Sequence, residues 1–284
     1  MAEILVLHAL NGLVWGLITA LIALGLSIIF GLLDIVNVAH GDLFMVGAVL
    51  AWYLVRYVDN FWLALVLAPL AVALLGIVLE RLVLRSIDVA RSLVVTFGLS
   101  LILQDAVRST FGPTPQRMLP PFEHTIPVFD FNYSLYRLLA ALIALAAIAG
   151  LFLYLHHTKF GTWMRAVRQD RDMATAMGIP TDQVFMVTFA VGAGLAALAG
   201  VVATPITTIE FRIGLVILPA AFIAVVVGGL GNLPGTAAAA VLLGEAEGIA
   251  SAFFSPTTAR IFSLIFMSAV LLLRPHGLFT RRTG

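Results

Sequence analysis

The sequence predicts an all-α polytopic membrane protein of about eight or nine transmembrane or re-entrant helices, arranged as pseudo-repeated halves. Three observations carry that expectation. Hydrophobic residues make up 61% of the 284 and charged residues only 11%, with a mean hydropathy of +1.07. A soluble domain carries about a quarter charged residues, so 31 charged groups (16 basic and 15 acidic) cannot form a water-facing skin here. Charge-free runs recur at lengths that suit a hydrocarbon core, which takes about 20 apolar residues per helix. Finally, two segments too short for a simple crossing stand at corresponding positions of two halves.

Taken in order, Ile4–Leu33 is charge-free and holds one span. Leu43–Val55 is short, Asn60–Leu79 is a full span, and Ser92–Val107 is modest and ends near Asp105. Leu138–Leu155 and Gln183–Ile209 follow. The run Ile213–Gly244 is cut by the turn Gly228–Gly235 into Ile213–Val227 and Thr236–Phe254, the second carrying Glu245 and Glu247. Ile261–Leu273 is the last. Residues 1–284 read as a single transmembrane domain whose main polar loop spans about 156–182. The first ten residues lack the basic start of a cleaved signal, and no Lys or Arg precedes Arg56, so the first span is expected to be retained.

Basic residues set the orientation. Arg81, Arg85 and Arg91, then Lys159, Arg165, Arg168 and Arg171, then Arg274, Arg281 and Arg282 hold ten of the sixteen. An odd–even walk through the spans puts all three groups on one side, assigned as cytoplasmic. The opposite loop, 108–135, is rich in Pro and aromatic residues. A net charge of +1 leaves no basic surplus to neutralise phosphates, which excludes a nucleic-acid binder. With no cysteine, disulfides and thiolate metal sites are excluded. His156 and His157 lack a third ligand at useful spacing. There is no phosphate loop and no nucleophile–base pair, so an enzyme is not expected.

Each short segment follows a long span and a polar break, Asp34–Asp42 in the first half and Pro205–Arg212 in the second. At a constant offset of 173, Gly41, Ala48 and Ala51 coincide with Gly214, Ala221 and Ala224. Short or broken segments at matching positions point to a transporter's substrate site. The run Gly31–Gly47, which contains the first break, packs Asp34, Asn37, His40 and Asp42 among apolar residues. By composition it suits an ordinary loop, helix packing, or a polar break offering helix ends to a zwitterionic solute. An acid inside a span suggests function, and Glu247 lies within a Gly244–Gly248 pair; alternatively the span ends early and both glutamates meet water. Glu210 and Arg212 suit a local ion pair.

Arg165–Met177 reads as one short amphipathic helix, stopped by Gly178 and Pro180. Ala166, Met173, Ala174 and Met177 share a face, with Arg165, Arg168, Asp170 and Asp172 around it. Such a helix can lie on the membrane surface or offer apolar knobs to a partner's groove.

Four stretches together resemble one family. The Asn37–Gly41 core running into a small-residue helix is similar to the N-terminal hallmark of permease subunits of ABC importers for branched-chain amino acids. Phe160–Pro180 resembles that family's large cytoplasmic loop with its coupling helix, Gly228–Gly235 its glycine-rich turn, and Arg274–Phe279 its ending. The resemblance runs from about residue 25 to 279; permeases for urea, amides and aromatic acids share much of it. It implies two cytoplasmic ATPase subunits, a second homologous permease chain and a periplasmic solute-binding protein in a bacterial inner (plasma) membrane. It also implies that no cofactor is held by this chain, ATP being bound by the partners. By resemblance Arg165, Arg168, Asp170, Asp172, Ala174, Met177 and Gly178 belong to the coupling segment, although the Glu-Ala-Ala motif of other importers is missing. Asn37, His40, Asp42 and Glu247 are the candidate solute-path residues. The rival expectations are a self-sufficient secondary transporter or channel for a small polar solute and, more weakly, an integral membrane enzyme.

Overall fold

A computed structural model describes residues 2–85, 87, 89–128, 131–274 and 277–279. Eleven α-helices and one two-stranded hairpin run in the order α1 (Ala2–Leu33), α2 (His40–Val58), α3 (Phe61–Leu79), α4 (Val89–Phe111), β1 (Thr125–Val128), β2 (Phe131–Ser134), α5 (Leu135–His157), α6 (Lys159–Gln169), α7 (Arg171–Ala176), α8 (Thr181–Ala203), α9 (Ile213–Gly228), α10 (Leu233–Ala250) and α11 (Pro256–Leu273). Among the described residues seven helices are long and apolar enough to cross a membrane, and α9 is a shorter apolar one. With α10, nine segments form the bundle, at the upper end of the expected count.

The lipid-facing surface is legible on α3. Trp62, Val66, Leu70, Leu74 and Val78 repeat every four residues and all are exposed, a stripe that water would not tolerate and hydrocarbon does. A π-turn over Glu80–Leu84 extends α3 toward the polar end. There Arg85 pairs with Asp182 at the start of α8.

Two long antiparallel helices, α1 and α8, form the spine. Tyr136 Oη donates to the Val202 carbonyl near the end of α8 (2.9 Å), while Asn11 near the start of α1 accepts from Arg137 (2.6 Å). The end of α8 and the start of α1 therefore both sit beside the start of α5. The most extensive packing of α1 is with α10, and that of α8 is with α3. Shifted by 173 residues, α3 falls almost wholly on α10, and α1 on the stretch occupied by α8. The two halves are thus inverted repeats, each a spine helix, a break, a helix starting inside the bundle, and a return helix packed on the other spine's flank.

Small residues permit this closeness. Gly12 and Gly16 of α1 face Gly244 and Gly248 of α10, and a Cβ added at Gly244 would lie 2.4 Å from the Gly16 Cα. Backbones that touch gain dispersion where no hydrophobic drive between helices exists.

One expectation is corrected. The charges at Asp42 and Arg56 limit the expected segment to Leu43–Val55, too short for a crossing; α2 instead runs from His40 to Val58, with Asp42 in its first turn and Arg56 in its last. Charges at helix ends can reach the interface or a buried partner, so they need not stop a helix.

Candidate functional site

The two breaks bring two helix starts together inside the protein. After Leu33 the chain breaks at a left-handed Asp34 (φ 53°), turns at residues 38–39 and re-enters the bundle. Its first α2 residue, His40, reaches the Ile22 carbonyl with Nε2 at 3.1 Å, eleven residues back from the end of α1, or roughly 16 Å along a helix. The His40 ring also lies against Gly25, whose position is crossed by the Gly192 carbonyl at the middle of α8. Beside it, Gly41 meets Gly214, the second residue of α9: an added Cβ at Gly41 would be 2.4 Å from the Gly214 oxygen. These are the two glycines that the 173-residue offset equates. Two helix N-termini, each with the partial positive charge of a helix start, therefore meet mid-bundle, their first N–H groups partly taken up by turn carbonyls such as Asn37 for His40 and Glu210 for Ile213.

Asn37, His40 and Asp42 are all buried there. A carbonyl can only accept, so His40 Nε2 carries the proton and the neutral ring presents Nδ1 as an acceptor. Asp42 Oδ1 accepts from Gln104 Nε2 (3.1 Å), which also reaches Ser100 Oγ (2.9 Å). The Val38 N–H donates to Thr96 Oγ1 (3.2 Å). Both polar atoms of the Asn37 side chain, His40 Nδ1 and Asp42 Oδ2 are buried without a hydrogen-bond partner. Sequence reasoning missed the α4 residues, although Ser92, Thr96, Ser100 and Gln104 recur every four positions in an apolar run and all are buried. That spacing is one helix face.

Glu247 stands apart from these three. It lies half-buried on α10 and lines a cavity of about 350 Å³ between α1, α9, α10 and α11. Asn11, Trp15, Ser251 and Arg260, none of them singled out from sequence, line it too. The cavity and the helix crossing share borders: Ile22, whose carbonyl holds His40, and Ile213, the first residue of α9, are wall residues. Glu245 points elsewhere, with Oε2 buried against Gly12 and unpartnered.

The 156–182 loop differs from its expected form. The single helix over Arg165–Met177 is broken at Asp170 into α6 and α7. The Asp170 carboxylate accepts from the Met173 N–H (2.8 Å), and this cap competes with helix continuation. The expected apolar face is split as a result. Ala174 is 4% exposed, packed with Leu32, Val167, Val184 and Phe185, whereas Met173 and Met177 are 60% and 76% exposed. Arg165 donates to the Leu155 carbonyl (2.8 Å) and Arg168 to that of Gly231 (2.8 Å), tying the loop to α5 and to the glycine-rich turn. Asp172 is exposed, and Gly178 has φ +82°, closing α7. Arg85, Arg168, Arg171 and Asp182 line one crevice, so two of the three basic regions share an end; Arg281 and Arg282 lie outside the described residues.

Glu210 and Arg212 form no ion pair among the described residues; Arg212 instead lies over the Phe211 ring, 5.2 Å from its centroid. His156 and His157 are exposed at the end of α5.

The comparisons with known proteins agree with this architecture. The family described as branched-chain amino acid transport system / permease component matches residues 8–273. The high-affinity branched-chain amino acid transport system permease protein LivH of Escherichia coli K12 is 30% identical over 290 residues, 95% of this chain and 94% of that protein. LivH of Salmonella typhimurium and BraD of Pseudomonas aeruginosa are each 28% identical, over the same shares. No solved structure matches significantly. With a family match over nearly its whole length and a relative at this identity, the chain belongs to the branched-chain amino acid transport system permease family and is a multi-pass membrane protein.

Proposed function

We propose that this chain is the transmembrane subunit of a bacterial ABC importer for branched-chain amino acids, working in the inner membrane. It forms the translocation path, pairs with a second related permease chain, and couples to two cytoplasmic ATPase subunits. A periplasmic binding protein delivers the solute. The chain has no ATPase site of its own and holds no cofactor, ATP being bound by its partners; residues 1–284 act as one transmembrane domain.

The observation that carries this reading is the meeting of α2 and α9 at Gly41 and Gly214, beside buried polar atoms of Asn37, His40 and Asp42. Helices that start inside a bundle, in inverted repeats, are how transporters place positive helix ends and polar side chains at a midplane site. Such a site suits a net-neutral zwitterion that must be released again. A self-sufficient transporter would share this feature, but would have no use for exposed methionines on a capped surface helix such as α7. The LivH and BraD relatives, named as amino acid permeases, favour the importer. The test is co-purification with ATPase subunits, then assay in liposomes. ATP hydrolysis stimulated by loaded binding protein, with uptake of leucine, isoleucine or valine, is expected; uptake without any ATPase partner overturns the reading.

A further inference from the structure

The cavity between α1, α9, α10 and α11 is lined by two opposite charges that do not pair. Glu247 sits half-buried one turn before the end of α10, and Arg260 lies exposed in the first turns of α11. Among the described residues no ion pair joins them. The wall carries Ile18 and Ile22, one turn apart on α1, and Val216 and Ile217 on α9, with Asn11, Thr19, Thr207 and Ser251 as its uncharged polar members. At about 350 Å³ the space is at the small end of ligand sites. Residues between Asn11 and Ile22 of α1, the end of α10 and the start of α11 bound it, which places it away from the crevice that Arg85, Arg168 and Arg171 line.

We infer that this cavity is an entry site for a zwitterionic amino acid with an apolar side chain, in which Glu247 receives the α-ammonium and Arg260 the α-carboxylate. The inference rests on the permease reading and deepens it. An intramembrane acid is costly unless it faces a cavity or a partner, and an ammonium group supplies the partner while it is bound. A guanidinium presents a planar fork that takes both carboxylate oxygens. With both head groups, carried on one α-carbon, held by these two residues, the side chain is left to lie against Ile18, Ile22, Val216 and Ile217. A second carboxylate or ammonium on the solute would find no opposite charge in the lining beyond Glu247 and Arg260, which the head groups occupy, and would be disfavoured by its desolvation. Because Ile22 and Ile213 border both this cavity and the Gly41–Gly214 crossing, the site sits immediately outside the point where the two helix starts close the path.

The test uses the complete importer in lipid nanodiscs without the binding protein, so that the membrane part alone selects. Equilibrium binding is measured for leucine, for 4-methylpentanoate (leucine without its ammonium group) and for leucinol (leucine without its carboxylate). Wild type is expected to bind leucine at least about tenfold more tightly than either analogue, since a hydrogen bond to a charged group carries that much discrimination. Glu247→Gln should weaken leucine about tenfold and bring 4-methylpentanoate level with it, while leucine stays ahead of leucinol. Arg260→Gln, at an exposed position where folding is not at stake, should do the converse. A purely structural role lowers all three ligands together and leaves their ranking intact. An unchanged ranking in both variants, or no leucine binding to wild type, overturns the inference. Amino acid uptake by the same complex once binding protein is restored keeps the permease reading standing in either case; its absence overturns that reading instead.

Discussion

The two breaks that the inverted repeat equates, 34–39 and 204–212, use one backbone device to different ends. In the second, every turn is tied down: Thr204 Oγ1 donates to the Gly200 carbonyl (2.7 Å), Ile209 and Gln116 exchange backbone bonds of 2.8 and 2.9 Å, and Arg212 lies over Phe211. In the first, Asp34 takes a left-handed φ of 53°, and Asn37, His40 and Asp42 keep buried polar atoms without partners. The return helices differ as well. Glu247 of α10 faces a cavity, whereas its counterpart at the 173-residue offset, Leu74 of α3, is exposed on the lipid-facing stripe. A symmetric scaffold therefore carries asymmetric chemistry. The repeat supplies the geometry, and the side chains at each break decide which buried polar atoms are bonded and which are not.

The comparison breaks most readily at the point the halves share. Gly41→Val forces a branched side chain into the Gly214 backbone and the Leu218 Cβ, at 2.4 and 2.9 Å from the first added atom. Backbone cannot yield as a flexible side chain does, so a loss of about 3 kcal/mol or more is expected. Gly150→Ala on α5, where nothing lies within 4 Å, should change thermal unfolding of the purified complex hardly at all. Equal stability of the two variants would mean that the helix starts do not touch.

How much of this was legible in the sequence depends on the kind of interaction. Spans were readable because burial in lipid demands long charge-free runs, and the breaks because Asp34, Asn37, His40 and Asp42 interrupt them. The repeat was hinted at by Gly41/Gly214, Ala48/Ala221 and Ala51/Ala224, since only small residues let backbones meet at those positions. Side-chain partners across helices were not legible. Nothing near Asp42 in sequence names Gln104, and nothing near Glu247 names Arg260 or Trp15. The break at Asp170 was hidden too, because Asp is tolerated in a helix unless its carboxylate finds the N–H three residues on.

In the 156–182 loop the contrast is between a buried and an exposed face. Ala174→Arg places a charge among Leu32, Val184 and Phe185 and should cost roughly 2–4 kcal/mol, lowering folded yield before any question of docking arises. Met177→Glu, on an exposed side chain, should leave stability within about 0.5 kcal/mol and yet reduce solute-stimulated ATP hydrolysis if α7 is the docking surface. Asp170→Ala removes the cap on α7 and should cost about 1 kcal/mol, read as earlier proteolysis of the loop. Unaltered coupling in Met177→Glu would remove the exposed face of α7 from the ATPase contact.

The smallest stability effect belongs to Asn37, and it separates the two breaks most sharply. A buried amide that cross-links helices costs about 1–3 kcal/mol when removed, because its partners are left unpaired. Asn37 has no such partners, since neither its Nδ2 nor its Oδ1 makes a hydrogen bond. Its burial is itself unfavourable, so Asn37→Ala trades relief of that desolvation against a small cavity costing on the order of 1 kcal/mol. The two nearly cancel, and thermal unfolding should shift little or upward. Uptake should nevertheless fall, since the amide lies beside the Gly41–Gly214 crossing with both a donor and an acceptor free for a passing ammonium or carboxylate. Parallel measurements of unfolding temperature and leucine uptake in proteoliposomes decide the matter. Normal stability with slowed uptake makes the first break part of the path, and a loss of both in step makes it a second structural lock like 204–212.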